Sequence, residues 1–147
     1  MNLSRIYLIA MLLLLFGVGS HGQEPPKAVL VDEHGQLPCD DSLGRLDVWY
    51  AEISNHSGSI GLAVISGARE EKHLIAFRHS LMETNARFRG ASEQLKLKYV
   101  RAVSRGPLMV QLWRIPAGAS EPRIENVDNT YTLPNDIRPF LLGKEYP

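Results

Sequence analysis

Residues 60–65, IGLAVI, form an uninterrupted apolar run that is rich in branched side chains. The run has the length of a β-strand and is shorter than a typical helix. A strand that is apolar on both faces must be covered on both faces, as happens in the middle of a sheet. This run therefore predicts the central strand of a sheet, with other parts of the chain packed on its two sides.

Amphipathic segments flank this strand. Four apolar residues before it recur at helical spacing: Leu43, Leu46, Tyr50 and Ile53. After it, residues 70–87 carry a second apolar stripe at helical spacing, and Gly90 follows as a stop signal. The pattern predicts one helix on either side of the central strand along the chain.

The only cysteine of the chain, Cys39, is followed by Asp40 and Asp41 at the start of the first helix. Either aspartate suits the N-cap, because a carboxylate accepts backbone N–H groups and faces the positive end of the helix dipole. The two acids also oppose formation of a thiolate, so a capped helix start is preferred to a cysteine nucleophile. One cysteine cannot form an internal disulfide, which leaves an intermolecular disulfide as the alternative use of Cys39.

Three further segments read as strands. Residues 28–32 form a short apolar run, residues 95–99 alternate between apolar and lysine side chains, and residues 108–115 form a last strand. The last two are separated by a turn and could pair as a hairpin. The element order β-α-β-α-β-β predicts an α+β fold, in which two helices lie on one face of a mixed four-stranded sheet.

The first 22 residues read as a secretory signal peptide. Arg5 precedes an apolar run from Ile6 to Phe16, and small residues follow. The run is shorter than the roughly 20 residues of a spanning helix, although an uncleaved anchor is the structural alternative. Cleavage is expected after Gly22, or else after Ser20. The protein is then periplasmic or secreted.

The 147 residues suit one domain, predicted over residues 23–116. Residues 117–147 are expected to form a proline-containing tail, whose segment 137–143, IRPFLLG, docks on the domain or on a partner. Basic and acidic residues both number 16, which argues against binding of nucleic acid. Trp49 and Trp113 are expected to pack in the core or against the tail rather than to recognise a ligand.

No signature of a hydrolase, protease or nucleotide-binding site is present. Glu70 and His73 lie one turn apart, as do His79 and Glu83, but chance proximity explains both pairs better than a metal site or a catalytic dyad. Neither a metal nor a cofactor is expected. The loop at 66–71, SGAREE, could bind an anion through Arg69, although its two glutamates suit a helix start and repel anions.

Several short motifs resemble those of a group of uncharacterised exported bacterial proteins. Members of that group carry D-E-x-G, C-D-D, R-L-D and a closing E-L-W-x-V-P-x-G-A. The corresponding residues here are Asp32, Glu33 and Gly35, then 39–41, 45–47 and 111–119. The likeness extends over most of the predicted domain.

That group in turn distantly resembles the peptidoglycan-associating C-terminal domain of proteins of the OmpA type. The resemblance implies a β-α-β-α-β fold and non-covalent attachment to the cell wall, with an aspartate after the central strand and a helical arginine gripping the stem peptide. Arg78 matches the helical arginine. Ala68 and Arg69 stand where the aspartate would fall. The chain therefore lacks the carboxylate that the pattern places at one end of the ligand-binding site.

The interpretation we prefer is an exported, non-catalytic binding or interaction module of the bacterial envelope. Its expected ligand-binding residues are Arg69 and Arg78, and its expected partner is peptidoglycan or an envelope protein. The alternative is a small periplasmic or secreted enzyme with a site in the 66–79 loop and helix, using Arg69, His73, Arg78 and His79. A concave pocket with converging titratable groups would favour the enzyme.

Overall fold

The computed structural model describes residues 24–124 and 127–129, so the predicted signal peptide and segment 137–143 lie outside the described residues. The strands are β1 (Val29–His34), β2 (Ile60–Gly67), β3 (Lys96–Ser104), β4 (Met109–Ile115) and β5 (Val127–Asn129). The helices are α1 (Cys39–Ser54), α2 (Lys72–Phe88), which follows a 3-10 turn (Arg69–Glu71), and the single turn α3 (Ala91–Gln94). None of the described helices is long and apolar enough to cross a membrane.

The strands form one mixed sheet in the order β1-β4-β2-β3-β5. The predicted α+β fold is confirmed, and the short β5 adds a fifth strand to the four that were predicted. β2 lies in the middle of the sheet, as its apolar run predicts; it pairs in parallel with β3 and antiparallel with β4. Because β1 is antiparallel to β4, the three strands β1, β2 and β3 all run in the same direction.

The predicted hairpin between β3 and β4 is wrong, because β2 lies between these two strands. The side chains explain the difference. β4 carries the fully buried Val110 and Leu112 and fits the interior of the sheet, between β1 and β2. β3 exposes Lys96 and Lys98 and suits a position nearer the edge of the sheet.

Helices α1 and α2 pack on one face of the sheet, and Gly61 of β2 allows the close approach of α1. A Cβ atom at Gly61 would overlap Ile53 Cδ1 and would lie 2.8 Å from Trp49 Cζ2. Only glycine leaves room for these two side chains. The main core on this face is built from apolar residues of both helices and of β2 and β4, among them Leu46, Trp49, Ile53, Ile65, Ile75, Met82, Val110 and Leu112.

The opposite face of the sheet is covered by the chain that follows β4. Leu62, Val64 and Ile115 are buried there, and Ala119 and Ile124 pack against them. An ion pair of 2.6 Å between Lys98 Nζ and Glu121 Oε1 joins the same segment to β3. The first part of the predicted tail therefore covers the sheet face that the helices leave open.

Helix α1 begins at Cys39, with Pro38 at the N-cap position and no capping bond from a side chain. The prediction of an aspartate N-cap is therefore wrong. Pro38, whose fixed φ is compatible with a helix entry, lets the helix begin two residues earlier than an Asp40 cap would require. Asp40 and Asp41 instead lie in the first turn, where their charges interact favourably with the helix dipole. Cys39 is exposed.

Candidate functional site

A groove of about 550 Å³ lies where α2 and α3 meet the beginning of β2 and β3. We call it the α2–β3 groove. It is lined by apolar side chains, by polar side chains and by one tyrosine: Ile60, Ala86, Leu95 and Leu97; Glu83, Arg87, Ser92 and Lys96; and Tyr99. The four polar residues are exposed. The groove thus combines an apolar surface with two cationic side chains and one carboxylate.

The turn between α2 and β3 creates this groove. Gly90 adopts a φ of +68°, a left-handed conformation that ends α2 and turns the chain into α3. The Gly90 N–H donates to the Arg87 carbonyl oxygen at 3.0 Å. The Leu95 N–H then donates to the Ala91 carbonyl oxygen at 2.9 Å, which completes the single turn of α3. This turn places Ser92 and Leu95 beside the first residues of β3.

The groove adjoins a strand edge. On one side, β3 pairs with β2 from Lys96 to Val103. On the other side, the described pairing with β5 comprises only Val103 with Asn129 and Ser104 with Val127. Within the described part of the chain, β3 residues 96–100 therefore have a strand neighbour on one side only. Backbone groups of the open side lie next to a groove that can receive side chains.

Three side chains from α2 and β3 meet beside the groove. His79 Nε2 lies 3.5 Å from Glu83 Oε1, and the His79 ring packs edge-on against Tyr99 with ring centroids 5.4 Å apart. Burial lowers the pKa of His79, the Arg101 charge lowers it further, and the Glu83 charge opposes the shift. His79 is accordingly neutral at neutral pH.

Two tyrosine hydroxyls are held protonated in the same region. Burial, with the Glu83 charge, raises the pKa of Tyr99 to about 12. Burial also raises the pKa of Tyr50, and the neighbouring Tyr99 and Asp47 add to the shift. Neither hydroxyl has a hydrogen-bond partner among the described residues.

The groove lining holds one serine and no histidine. Ser92 supplies a hydroxyl, but none of the nine lining residues is a histidine that could activate it as a nucleophile. Among residues 24–124 and 127–129, no group of three or more histidine, cysteine, aspartate or glutamate side chains is arranged to hold a metal ion.

Arg78 lies with its guanidinium buried, and only 5% of the residue is exposed. Its Nη2 donates a hydrogen bond to the Leu37 carbonyl oxygen, while Nε and Nη1 are buried without a partner among the described residues. Arg69 is exposed at the start of the 3-10 turn. Arg78 thus supports the loop before α1. The ligand-binding roles of Arg69 and Arg78 stay predictions.

The four residues of the alternative enzyme site face different surroundings. Arg78 contacts the loop after β1, whereas the next residue, His79, contacts β3. Arg69 and His73 are exposed to solvent. The enzyme also stays a prediction.

The groove residues Glu83, Arg87, Lys96 and Tyr99 were not identified as a site from the sequence. The one available signal was the alternation of lysine with apolar residues along 95–99, which predicts a strand with one solvent-exposed face.

Comparisons with protein-family models, with curated proteins and with solved structures find no match.

Proposed function

We propose that this protein is an exported, non-catalytic binding module of the bacterial envelope that holds an extended peptide in the α2–β3 groove. The observation that carries the proposal is the position of the groove beside β3 residues 96–100, whose outer edge has no strand partner within the described residues. A peptide that adds to a strand edge gains backbone hydrogen bonds, while a neighbouring groove selects its side chains. The signal-like pattern of residues 1–22 supports export.

The residues that line the groove indicate the chemistry of the ligand. Leu95 and Leu97 suit an apolar side chain, whereas the exposed Arg87 and Lys96 attract carboxylates. An extended peptide with a small apolar side chain and free carboxylates satisfies both requirements. The peptide stem of peptidoglycan is such a peptide, and it is the ligand that the resemblance to the OmpA type implies. It is therefore the partner that we propose.

Sedimentation with purified peptidoglycan sacculi tests the proposal. The chain is expressed with its N-terminal segment intact, recovered from the periplasm and sedimented with sacculi. We expect Arg87→Glu with Lys96→Glu to reduce the bound fraction at least tenfold. The matched control, Arg69→Glu with Lys72→Glu, changes the same charges at exposed positions before and at the start of α2 and should bind like the wild type. Loss of binding in the Arg69→Glu, Lys72→Glu variant alone would move the site to the 66–71 loop. A wild type that stays in the supernatant would exclude the cell wall as the partner.

The same preparation tests export. N-terminal sequencing of the periplasmic protein should begin at Gln23 if cleavage follows Gly22, or at His21 if it follows Ser20. Recovery of the whole chain from the membrane fraction, with its N-terminal segment retained, would contradict a cleaved signal peptide and support the anchor.

A further inference from the structure

His79 of α2 contacts two of the residues that line the α2–β3 groove. Its Nε2 lies 3.5 Å from Glu83 Oε1, and its ring packs edge-on against Tyr99. We infer that His79 is an acid-sensitive switch for this groove: once its ring is protonated, it pairs with the Glu83 carboxylate, and the groove binds an anionic ligand more tightly. The regulation of binding rests on the proposed function, whereas the coupling of His79 to Glu83 does not.

The ring of His79 faces charged and titratable groups from two elements. Glu83 lies one turn further along α2, and Tyr99 and Arg101 belong to β3. Burial keeps the Tyr99 hydroxyl protonated, with a pKa of about 12, and arginine stays charged at all these pH values. β2, which also packs against α2, carries no titratable side chain in residues 60–67. Among the described residues, Glu83 is therefore the carboxylate that a protonated ring would meet.

The shielding of the ring strengthens this pair. Only 16% of the His79 side chain is exposed, whereas 47% of the Glu83 side chain is. Because water screens a shielded charge less, a pair formed here is stronger than a pair between two fully exposed side chains. Before protonation the imidazole is neutral and offsets none of the Glu83 charge.

Protonation of His79 changes the charge balance of the groove. The lining contributes two positive side chains, Arg87 and Lys96, and one carboxylate, Glu83. Once the imidazolium offsets the Glu83 charge, this carboxylate repels an anionic ligand less and the two cations dominate. By linkage, a single proton can increase the affinity for the ligand by at most about tenfold per pH unit.

The same contacts determine where on the pH scale the switch operates. Burial lowers the pKa of His79, the Glu83 charge raises it, and the Arg101 charge lowers it. The ring should therefore take up its proton below the ordinary histidine value of about 6.5. A groove that is weakly cationic at neutral pH then becomes more strongly cationic in mild acid.

The coupling of His79 to Glu83 is tested first, without any ligand. NMR follows the His79 ring from pH 7.5 to pH 5 in protein expressed from the full chain. Glu83→Gln removes the charge and keeps the size, so it should move the midpoint of the His79 titration lower by at least about 0.5 pH unit. The matched control Glu70→Gln makes the same change in the 3-10 turn before α2 and should leave the midpoint unchanged. A midpoint that Glu83→Gln does not move, or a ring that stays neutral down to pH 5, would overturn the inference.

Sedimentation with purified sacculi at pH 7.5 and pH 5, at one ionic strength, tests the effect on binding. On acidification the wild type should gain at least about threefold in affinity relative to His79→Gln. Because both proteins meet the same sacculi, changes in the charge of the sacculi cancel in this ratio. His79 does not line the groove, so the two proteins should bind alike at pH 7.5. Circular dichroism shows whether both are folded at pH 5, and a wild type that unfolds there would overturn the switch.

The two measurements separate this inference from the proposed function. Binding by the wild type with the same pH dependence as His79→Gln would support the peptide-binding function and refute the switch. Absence of binding in every form at both pH values would refute the proposed function and the regulation of binding together. The NMR midpoints would then still decide whether His79 is coupled to Glu83.

Discussion

The guanidinium of Arg78 in α2 donates a hydrogen bond to the carbonyl oxygen of Leu37, which lies 41 residues earlier in the chain, in the loop before α1. Arg78 is buried, and two of its three guanidinium nitrogens have no partner among the described residues. The side chain therefore fills space and ties a loop, while its charge carries a desolvation cost that no described carboxylate offsets.

This arrangement predicts different outcomes for two substitutions of Arg78. Arg78→Met keeps most of the volume and removes the buried charge, so the free energy of unfolding should change by less than about 1 kcal/mol. Arg78→Ala leaves a cavity and should cost about 2–4 kcal/mol. Urea unfolding of both variants measures the difference. If Arg78→Met lowers the free energy of unfolding as much as Arg78→Ala does, the guanidinium itself stabilises the fold by donating to an acceptor that faces it.

Two glycines should respond to alanine in opposite directions. A Cβ at Gly61 would overlap Ile53 and Trp49, so Gly61→Ala should lower the free energy of unfolding by about 1–3 kcal/mol. Gly44 lies in α1 with nothing within 4 Å of an added Cβ. Gly44→Ala should therefore stabilise the protein by about 0.5–1 kcal/mol, because alanine is the better helix former. Thermal unfolding of the two variants checks the prediction, and a neutral Gly61→Ala would contradict the close approach of α1 to β2.

His79 should make the protein less stable in mild acid. Its pKa is lowered in the folded state by burial, so above its ordinary pKa of about 6.5 the ring is neutral in both folded and unfolded chains. As the pH falls below that value, the unfolded chain binds a proton that the folded chain resists. The free energy of unfolding then declines until the pH has passed the folded-state pKa, with a slope of at most about 1.4 kcal/mol per pH unit for one group.

Urea unfolding between pH 7.5 and pH 5 measures this effect. The free energy of unfolding of His79→Gln should decline less steeply than that of the wild type over that range. Identical pH dependence in the two proteins would show that His79 does not contribute.

Tyr50 offers a test of the unpaired hydroxyls. Its ring is buried, and its hydroxyl has no hydrogen-bond partner among the described residues. Tyr50→Phe keeps the ring and removes a buried polar group, so the free energy of unfolding should stay the same or rise by up to about 1 kcal/mol. Tyr50→Leu, which also lacks the hydroxyl but changes the ring, should be less stable than Tyr50→Phe. A loss of more than about 1 kcal/mol in the phenylalanine variant would show that the hydroxyl is paired in solution.

The central strand and the two long helices could be predicted because each depends on a local pattern. The run at 60–65 has no polar face, and the apolar residues of both helices recur every three or four positions. The position of β4 could not be predicted in the same way. Adjacent strands in the chain suggest a hairpin, but the apolar character of β4 on both faces decides in favour of the interior, and that choice depends on the whole sheet.

The candidate site depends still less on local patterns. Glu83 and Arg87 belong to the exposed side of a helix, Ser92 to a short turn, and Lys96 to the first position of a strand. Only the left-handed turn at Gly90 brings them around one groove. The burial of Arg78 could not be predicted from the sequence either. Its position in an amphipathic helix does not reveal that the loop at Leu37 covers it. β5 has only three residues, too few for a periodic pattern.

The place of β4 between β1 and β2 affects how the chain can fold as it is made. β1 pairs with β4, and the structure describes no pairing between β1 and β2, so the first strand cannot join the sheet before residues 109–115 are available. A chain that emerges from the ribosome N-terminus first therefore holds β1 back until Ile115, the last residue of β4, has been synthesised. Such dependence on distant contacts slows folding.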